Sequence, residues 1–343
     1  MSNRQSWMAR EIEATPEIIA GQALNLVRPL DGLLLRLRRQ PPGVVVTCAR
    51  GSSAHAATFA KHLIERYLGL PVAEAAPSIA SVYQRRLRLC GQLVLAISQS
   101  GNSDDLIAFA SHARDIGALT VAITNDSASP LAATCEFVLP LAAGPERSVA
   151  ATKTFIATAA VLLRLVGAWA EDAALLNSAS QLPARLAHAS RLDWSRAVET
   201  LSQTTHLAAI GRGPTLAIAR EAALKLKETC NLHTEAFSGA EFLHGPIALV
   251  RPNYPVLVFG PTDEAAPGIR QLCRDLDAMG ATLLIADSIP TCGIALPVLS
   301  AEQPEADALC LMQSFYLMVV ALGDRLGVDI DKPPHLQKVT RTT

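Results

Sequence analysis

The stretch Leu93-Val94-Leu95-Ala96-Ile97-Ser98-Gln99-Ser100-Gly101-Asn102-Ser103 decides the fold class. Five apolar residues without polar alternation read as a strand covered on both faces, and the hydroxyl- and glycine-rich run after them reads as a turn into a helix over Asp104 to Ile116. The same grammar surrounds it. Val44 to Val46 reads as a strand, followed by Ala49-Arg50-Gly51-Ser52-Ser53 and an alanine-rich helical stretch from about Ala54 to Leu68. Leu119 to Ile123 and Glu136 to Leu139 read as further strands, each set off by a helical pattern. Strands alternating with helices predict a parallel, helix-covered sheet of the α/β class. Upstream, Ile18, Ile19, Leu24, Val27, Leu30 and Leu33 recur at helical spacing over Glu11 to Leu37, before Pro41-Pro42-Gly43.

The pattern returns in the second half. His206 to Ile210 reads as a strand, Gly211-Arg212-Gly213 as a glycine turn, and Leu216 to Thr229 as a helix. Arg50-Gly51 and Leu93 to Ile97 reappear 162 residues later as Arg212-Gly213 and Pro255 to Phe259, and Gly117-Ala118 returns as Gly280-Ala281 with a one-residue slip. A duplicated α/β domain accounts for this economically, and a chain of 343 residues has room for two cores.

Half of the residues are hydrophobic, 18% are charged, and the net charge is −1, so bulk electrostatics give no reason to seek nucleic acid or an anionic membrane. The expected partner is a small molecule or a protein. The seven cysteines (Cys48, Cys90, Cys135, Cys230, Cys273, Cys292, Cys310) form no CxxC pair, and an odd, scattered set predicts reduced, mostly buried thiols. Met1 to Arg10 lacks the apolar core of a signal peptide, and the most apolar run, Phe155 to Ala170, is short and interrupted by Arg164; it reads as a buried helix of a cytoplasmic protein.

In open parallel sheets, ligands bind at the carboxyl ends of the strands. Ser98 to Ser103 fits that place: three hydroxyls, two carboxamides and a glycine form a cradle for phosphate oxygens, with helix-terminal amides adding positive potential. An ordinary helix cap would use the same residue types. No GxxxxGK[ST] or GxGxxG is present, and no HExxH or Cys/His cluster, so neither a nucleotide cofactor nor a metal is expected. Glu221, Lys225 and Glu228 share a helix face at i, i+4 and i+7, a spacing that on its own favours a solvated salt-bridge stripe. His244 stands beside a Gly245-Pro246 turn. Pro333-Pro334, followed by His335 and Lys338, reads as an extended tail.

Taken in order, Met8-Ala9-Arg10-Glu11-Ile12, Gly51-Ser52-Ser53, Ser98-Gln99-Ser100-Gly101, Ser148-Val149-Ala150-Ala151-Thr152-Lys153, Glu221 to Glu228, His244-Gly245-Pro246 and Leu336-Gln337-Lys338 resemble the SIS-domain phosphosugar isomerases. The resemblance is to the isomerase half of glucosamine-6-phosphate synthase (glutamine–fructose-6-phosphate transaminase) and to stand-alone glucosamine-6-phosphate deaminases of that type. It implies a helical lead-in over 1–38, two tandem SIS domains over 39–190 and 191–325, each a flavodoxin-like three-layer sandwich, and an active-site tail over 326–343. It further implies that Ser98, Gln99, Ser100 and Ser103 hold the phosphate and that Gly51, Ser52, Ser53, Val149 and Ala150 contact the sugar or shape its pocket. Glu228 would be the proton-transfer base, Lys225 its electrostatic partner, His244 the ring-opening histidine, and Lys338 the tail lysine that meets an open-chain carbonyl. A homodimer with shared active sites is implied as well, without cofactor, metal, nucleic acid or membrane.

Three departures from the synthase pattern bear on the reaction. Ser2 follows Met1 where the synthase has a nucleophilic cysteine, and about forty residues precede the first domain, so glutamine-dependent synthesis is not expected of this chain alone. Arg50 replaces a cysteine and Ala151 a serine. The resulting expectation is conversion of glucosamine 6-phosphate and water to fructose 6-phosphate and ammonia. The alternatives are a fructosamine-6-phosphate deglycase, a ketose/aldose phosphate isomerase, or a non-catalytic phosphosugar sensor.

Overall fold

The computed structural model describes residues 6–338. The chain opens with α1 (Trp7–Glu13) and α2 (Thr15–Arg39), so the lead-in periodicity corresponds to two helices meeting at Ala14. The succession β1 (Val45–Ala49), α3 (Gly51–Leu68), β2 (Val72–Glu74), α4 (Ser78–Ser81), β3 (Leu93–Ile97), α5 (Asp104–Asp115), β4 (Leu119–Thr124), α6 (Pro130–Thr134), β5 (Phe137–Pro140) and α7 (Lys153–Trp169) follows. These strands form one parallel sheet in the order β2-β1-β3-β4-β5, with Val45 opposite Leu93 and Leu93 opposite Leu119. Every residue of β1, β3 and β4 is buried, which is why these strands read as continuous apolar runs.

The second half runs through α8 (Ala173–Ala189), α9 (Ser195–Leu201), β6 (His206–Gly211), α10 (Pro214–Cys230), β7 (His233–Ser238), α11 (Gly239–Leu243), a 3₁₀ turn (Pro246–Leu249), β8 (Pro255–Phe259), α12 (Ala266–Ala278), β9 (Thr282–Ala286), β10 (Ile294–Ala295) and α13 (Pro304–Leu326). Its parallel sheet, read as β7-β6-β8-β9-β10, repeats the order of the first strand for strand. The duplication is therefore real. The glycines at its corresponding turns are alike in conformation too: Gly51 has φ +53° and Gly213 φ +58°, the left-handed region that an L side chain rarely adopts.

The chain divides into two compact units. The first-sheet unit comprises 17–146, 153–179 and the tail from residue 337. The second-sheet unit comprises the chain up to residue 16, the short segment 147–152, and 180–336. In the first, α3 packs along α7, whose buried length is the run read as a core helix. In the second, α13 packs against α10 and α1. Gln313 of α13 donates to the Ile12 carbonyl (2.9 Å), while Met8 and Ile12 are fully buried. Among the described residues α2 and α13 are long and apolar enough to cross a membrane, but 83% of α13's apolar stretch is buried within its unit, the place of a core helix.

Cys48, Cys135, Cys230, Cys273 and Cys310 are buried, Cys292 is half-buried and Cys90 is exposed. Burial pushes the Cys135 and Cys230 thiols up to about 11 and those of Cys273 and Cys310 up to about 12, and raises Cys48 further. Because the thiolate is the nucleophile, an alkylating reagent near neutral pH should modify native protein at Cys90 first and Cys292 slowly. The other five should react only in denaturant. Peptide mass spectrometry reads the order, and rapid native labelling of Cys48 would contradict this packing.

Candidate active site

In the first-sheet unit, β3 ends at Ile97 and hands the chain to Ser98–Ser103, whose backbone is tied to the end of β4. The Ser98 amide donates to the Ile123 carbonyl (3.1 Å), and the Asn125 amide to the Gln99 carbonyl (3.1 Å). Ser98 Oγ accepts the Gly101 amide (3.1 Å) and Ser100 Oγ accepts the Asn102 amide (3.3 Å), which leaves both hydroxyl protons to donate. Gly101 has φ +65°, and a Cβ there would lie 2.1 Å from Ser129 Oγ, so only glycine lets the loop close. Ser103 occupies the N-cap of α5, yet its side chain makes no capping bond. The cap position of α5 is thus left without a side-chain bond, while Ser98 and Ser100 bond within the loop itself.

The neighbouring strand β1 delivers Gly51, Ser52 and Ser53, which form the first turn of α3 rather than a preceding loop. Since β1 pairs with β3, the two turns emerge side by side at the carboxyl edge. Arg50 joins them. Its Nε and Nη2 reach Asp105 Oδ2 at 3.1 and 2.8 Å, and Asp105, in the first turn of α5, is almost wholly buried. The tail returns to this unit at Lys338, whose Nζ lies 2.8 Å from Glu146 Oε2. That carboxylate is buried and also accepts the Thr154 amide (3.2 Å) and hydroxyl (2.8 Å).

The second-sheet unit holds the remaining candidates. On α10, Lys225 is completely buried between two carboxylates, with Nζ 2.5 Å from Glu228 Oε2 and 3.4 Å from Glu221 Oε1. Glu221 is also fully buried and accepts the Tyr316 hydroxyl of α13 at 3.1 Å, whereas the Glu228 side chain keeps 21% exposure. The solvated-stripe expectation is overturned here: α13 covers this face and leaves only the Glu228 end open. His244 caps α11 at its C-terminal end and is exposed. Val149 and Ala150 lie on the short segment 147–152, half-buried and buried respectively.

The second sheet's own carboxyl edge is bonded differently after β8. After β8 comes Gly260-Pro261-Thr262 in place of the serine-rich loop, and the Thr262 hydroxyl donates to Asp307 (2.7 Å), itself paired with buried Arg185 (2.6 Å). The cavity lined by Arg185, Thr262, Asp287 and Asp307 measures about 20 Å³, room for a water or two and far too little for a sugar phosphate.

The SIS-domain family profile matches residues 42–167 and 200–288. The chain belongs to the SIS-domain family. Over 95% of its length it superposes on the whole of a presumed phosphosugar isomerase from Silicibacter pomeroyi DSS-3, with 42% identity and a TM-score of 0.92. It also superposes on the C-terminal domain of glucosamine-fructose-6-phosphate aminotransferase from Francisella tularensis, with 25% identity, a TM-score of 0.85, and coverage of 96% of this chain and 99% of that one. The isomerizing glutamine–fructose-6-phosphate aminotransferase of Rhizobium meliloti is 30% identical over 98% of this chain, which spans 59% of that relative's length.

Among this SIS-domain chain's candidate residues, the structure groups the cradle with Gly51–Ser53, and Lys225 with Glu228. Sequence reasoning assigned no role to Glu146, Asp105 or Tyr316. Each is polar, buried and bonded to a candidate or to its neighbour, a signal that only the fold reveals. Lys225→Met, which removes the buried ammonium facing Glu221 and Glu228, should destabilise the protein by about 3–5 kcal/mol in chemical denaturation; a loss below about 1 kcal/mol would mean the cluster is solvated. Replacing both Ser98 and Ser100 by alanine should weaken phosphosugar binding by about 1.5–3 kcal/mol per lost bond to a charged group, and an unchanged Michaelis constant would move the phosphate site elsewhere.

Proposed function

We propose that this chain is a cofactor-independent, cytoplasmic amino-sugar-phosphate enzyme that converts glucosamine 6-phosphate and water to fructose 6-phosphate and ammonia. The observation that carries the reading is the buried Glu221–Lys225–Glu228 cluster. A lysine held out of water between carboxylates, with one carboxylate left partly open, is poor surface decoration and good proton-transfer equipment. The likeness to the aminotransferase C-terminal domain supports the substrate class, and the hydroxyl-rich loop is where its phosphate would sit.

In this reading Ser98, Gln99, Ser100 and Ser103 bind the phosphate, while Gly51, Ser52, Ser53, Val149 and Ala150 shape the sugar's surroundings. His244 passes protons as the pyranose opens. Glu228 removes the C2 proton and returns it at C1, so the C1 carbonyl becomes a hydroxyl and C2 an imine. Lys225 stabilises the negative charge that develops on oxygen as the enolamine forms. Water then adds to C2, ammonia leaves, and the ketone remains. No redox partner enters, because a carbon beside a carbonyl or imine is already acidic enough for a carboxylate to deprotonate. Lys338 meets the open-chain carbonyl, and a second copy of the chain completes each site through its His244.

Purified protein should release ammonia from glucosamine 6-phosphate without glutamine, nucleotide or added metal. Glu228→Gln should fold normally, still bind phosphosugar, and lose on the order of 10² to 10⁴ in turnover together with exchange of the C2 proton into deuterated solvent. Retained turnover in that variant would remove Glu228 from the role. Interconversion of unaminated sugar phosphates alone would replace the deaminase by a ketose/aldose isomerase.

A further inference from the structure

The motif Met8-Ala9-Arg10-Glu11-Ile12 lies in α1 and has no part in the chemistry above, yet its one acid is buried at 5% exposure. A carboxylate removed from water needs donors, and Glu11 finds them in the segment that carries Val149 and Ala150. Oε1 accepts the Arg147 amide, and Oε2 accepts the Ser148 amide at 3.3 Å. The proton of the fully buried Ser148 hydroxyl is shared between Glu11 Oε2 (2.7 Å) and the Ala150 carbonyl (2.9 Å). From the other side, the Val149 amide donates to the Asp331 carbonyl (3.2 Å). The Asp331 carboxylate in turn caps α1, accepting the Trp7 amide (2.7 Å) and the Met8 amide (2.9 Å).

Helix α1, the turn at Asp331 and the 147–150 segment therefore form a closed ring of hydrogen bonds. Every link but the Ser148–Glu11 side-chain bond fixes a backbone atom of the segment or of the helix that holds it. Nothing in the ring reaches for a proton of the substrate; it sets where the Val149 and Ala150 backbone stands. We infer that Glu11 is the positioning residue for the sugar-contacting segment, fixing it through Ser148, with Asp331 closing the ring. This rests on the reading above that Val149 and Ala150 contact the sugar.

A positioning role lowers ground-state and transition-state binding alike, so it appears in KM and spares kcat. Glu11→Gln keeps the shape but turns an amide toward donors that need a carboxylate. Three measurements are expected to move together. The Michaelis constant for phosphosugar should rise on the order of 10- to 100-fold, in line with bonds to a charged acceptor, with kcat within about threefold. Competitive inhibition by inorganic phosphate, which probes the Ser98–Ser103 cradle alone, should be unchanged. Amide hydrogen exchange in peptides spanning 147–150 should accelerate at least tenfold, while the β3 and β8 peptides stay protected. Ser148→Ala, which removes only the bridging hydroxyl, should show the same signs at smaller size, and adding it to Glu11→Gln should cost little more; it serves as the test if Glu11→Gln does not fold. An unchanged exchange rate, or an unchanged Michaelis constant in an active wild-type background, overturns the positioning role. A wild-type protein that neither binds nor turns over any phosphosugar overturns the functional reading and this role with it.

Discussion

A lysine ammonium with no exposure to water is the constraint around which the second-sheet unit is arranged. Its charge can remain only if acceptors are fixed around it, and Glu221 and Glu228 meet that need from its own helix. Glu221 is then a second buried charge with a further lone pair to satisfy, which Tyr316 does from α13. The packing of α10 against α13 is thus specified by polar contacts as well as by Leu226, Phe315 and Val319, all buried. One consequence is that Glu228 is held in place from beneath. Its carboxylate is anchored at one oxygen while its side chain keeps contact with solvent, the posture a proton-shuttling group requires.

The duplicated sheets have diverged at their carboxyl edges. After β3 the first keeps hydroxyls, a left-handed glycine and an uncommitted helix cap. After β8 the second has spent the equivalent polar groups on one another, with Thr262, Asp307 and Arg185 bonded together. Polar side chains at a strand end can serve a ligand or the fold, and the hydrogen-bond partners distinguish the two. The same test separates Arg50 from the cysteine of the synthase pattern. Arg50 is committed to Asp105 and braces the turns after β1 and β3 against each other.

Central strands were legible because burial on both faces leaves an unbroken apolar run, as in Leu93–Ile97 and Pro255–Phe259, whose limits agree with the structure. Three of the four edge strands were not, the exception being β5, read as Glu136 to Leu139. β2 has three residues and β10 two, and β7 reads His233-Thr234-Glu235-Ala236-Phe237-Ser238, a mixed run that pairs on one side only. The spacing of Glu221, Lys225 and Glu228 was visible, but whether water reaches them depends on a tyrosine 95 residues away. Likewise Lys338 could be picked out in the tail, while Glu146, its partner 192 positions earlier, could not. Glu11 sat in a recognisable motif whose purpose is opaque until the 147–150 segment is placed against it. Local periodicity carries the sheet; the electrostatics of the site are set by contacts between distant parts of the chain, which no window of sequence contains.

The bonds from Trp7 and Met8 to Asp331 span 324 and 323 positions of the chain. Loops that long are slow to close, and chain growth on the ribosome proceeds from the N-terminus. Helix α1 is made before either sheet yet receives bonds at its start from a residue that emerges after both. The first-sheet unit, by contrast, has all its strands in hand once Pro140 has left the exit tunnel. Synthesis thus delivers the Ser98–Ser103 loop early and withholds the seat of Val149 and Ala150 until both sheets have emerged, so a truncated chain ending before residue 331 cannot complete the ring, however well its sheets have formed.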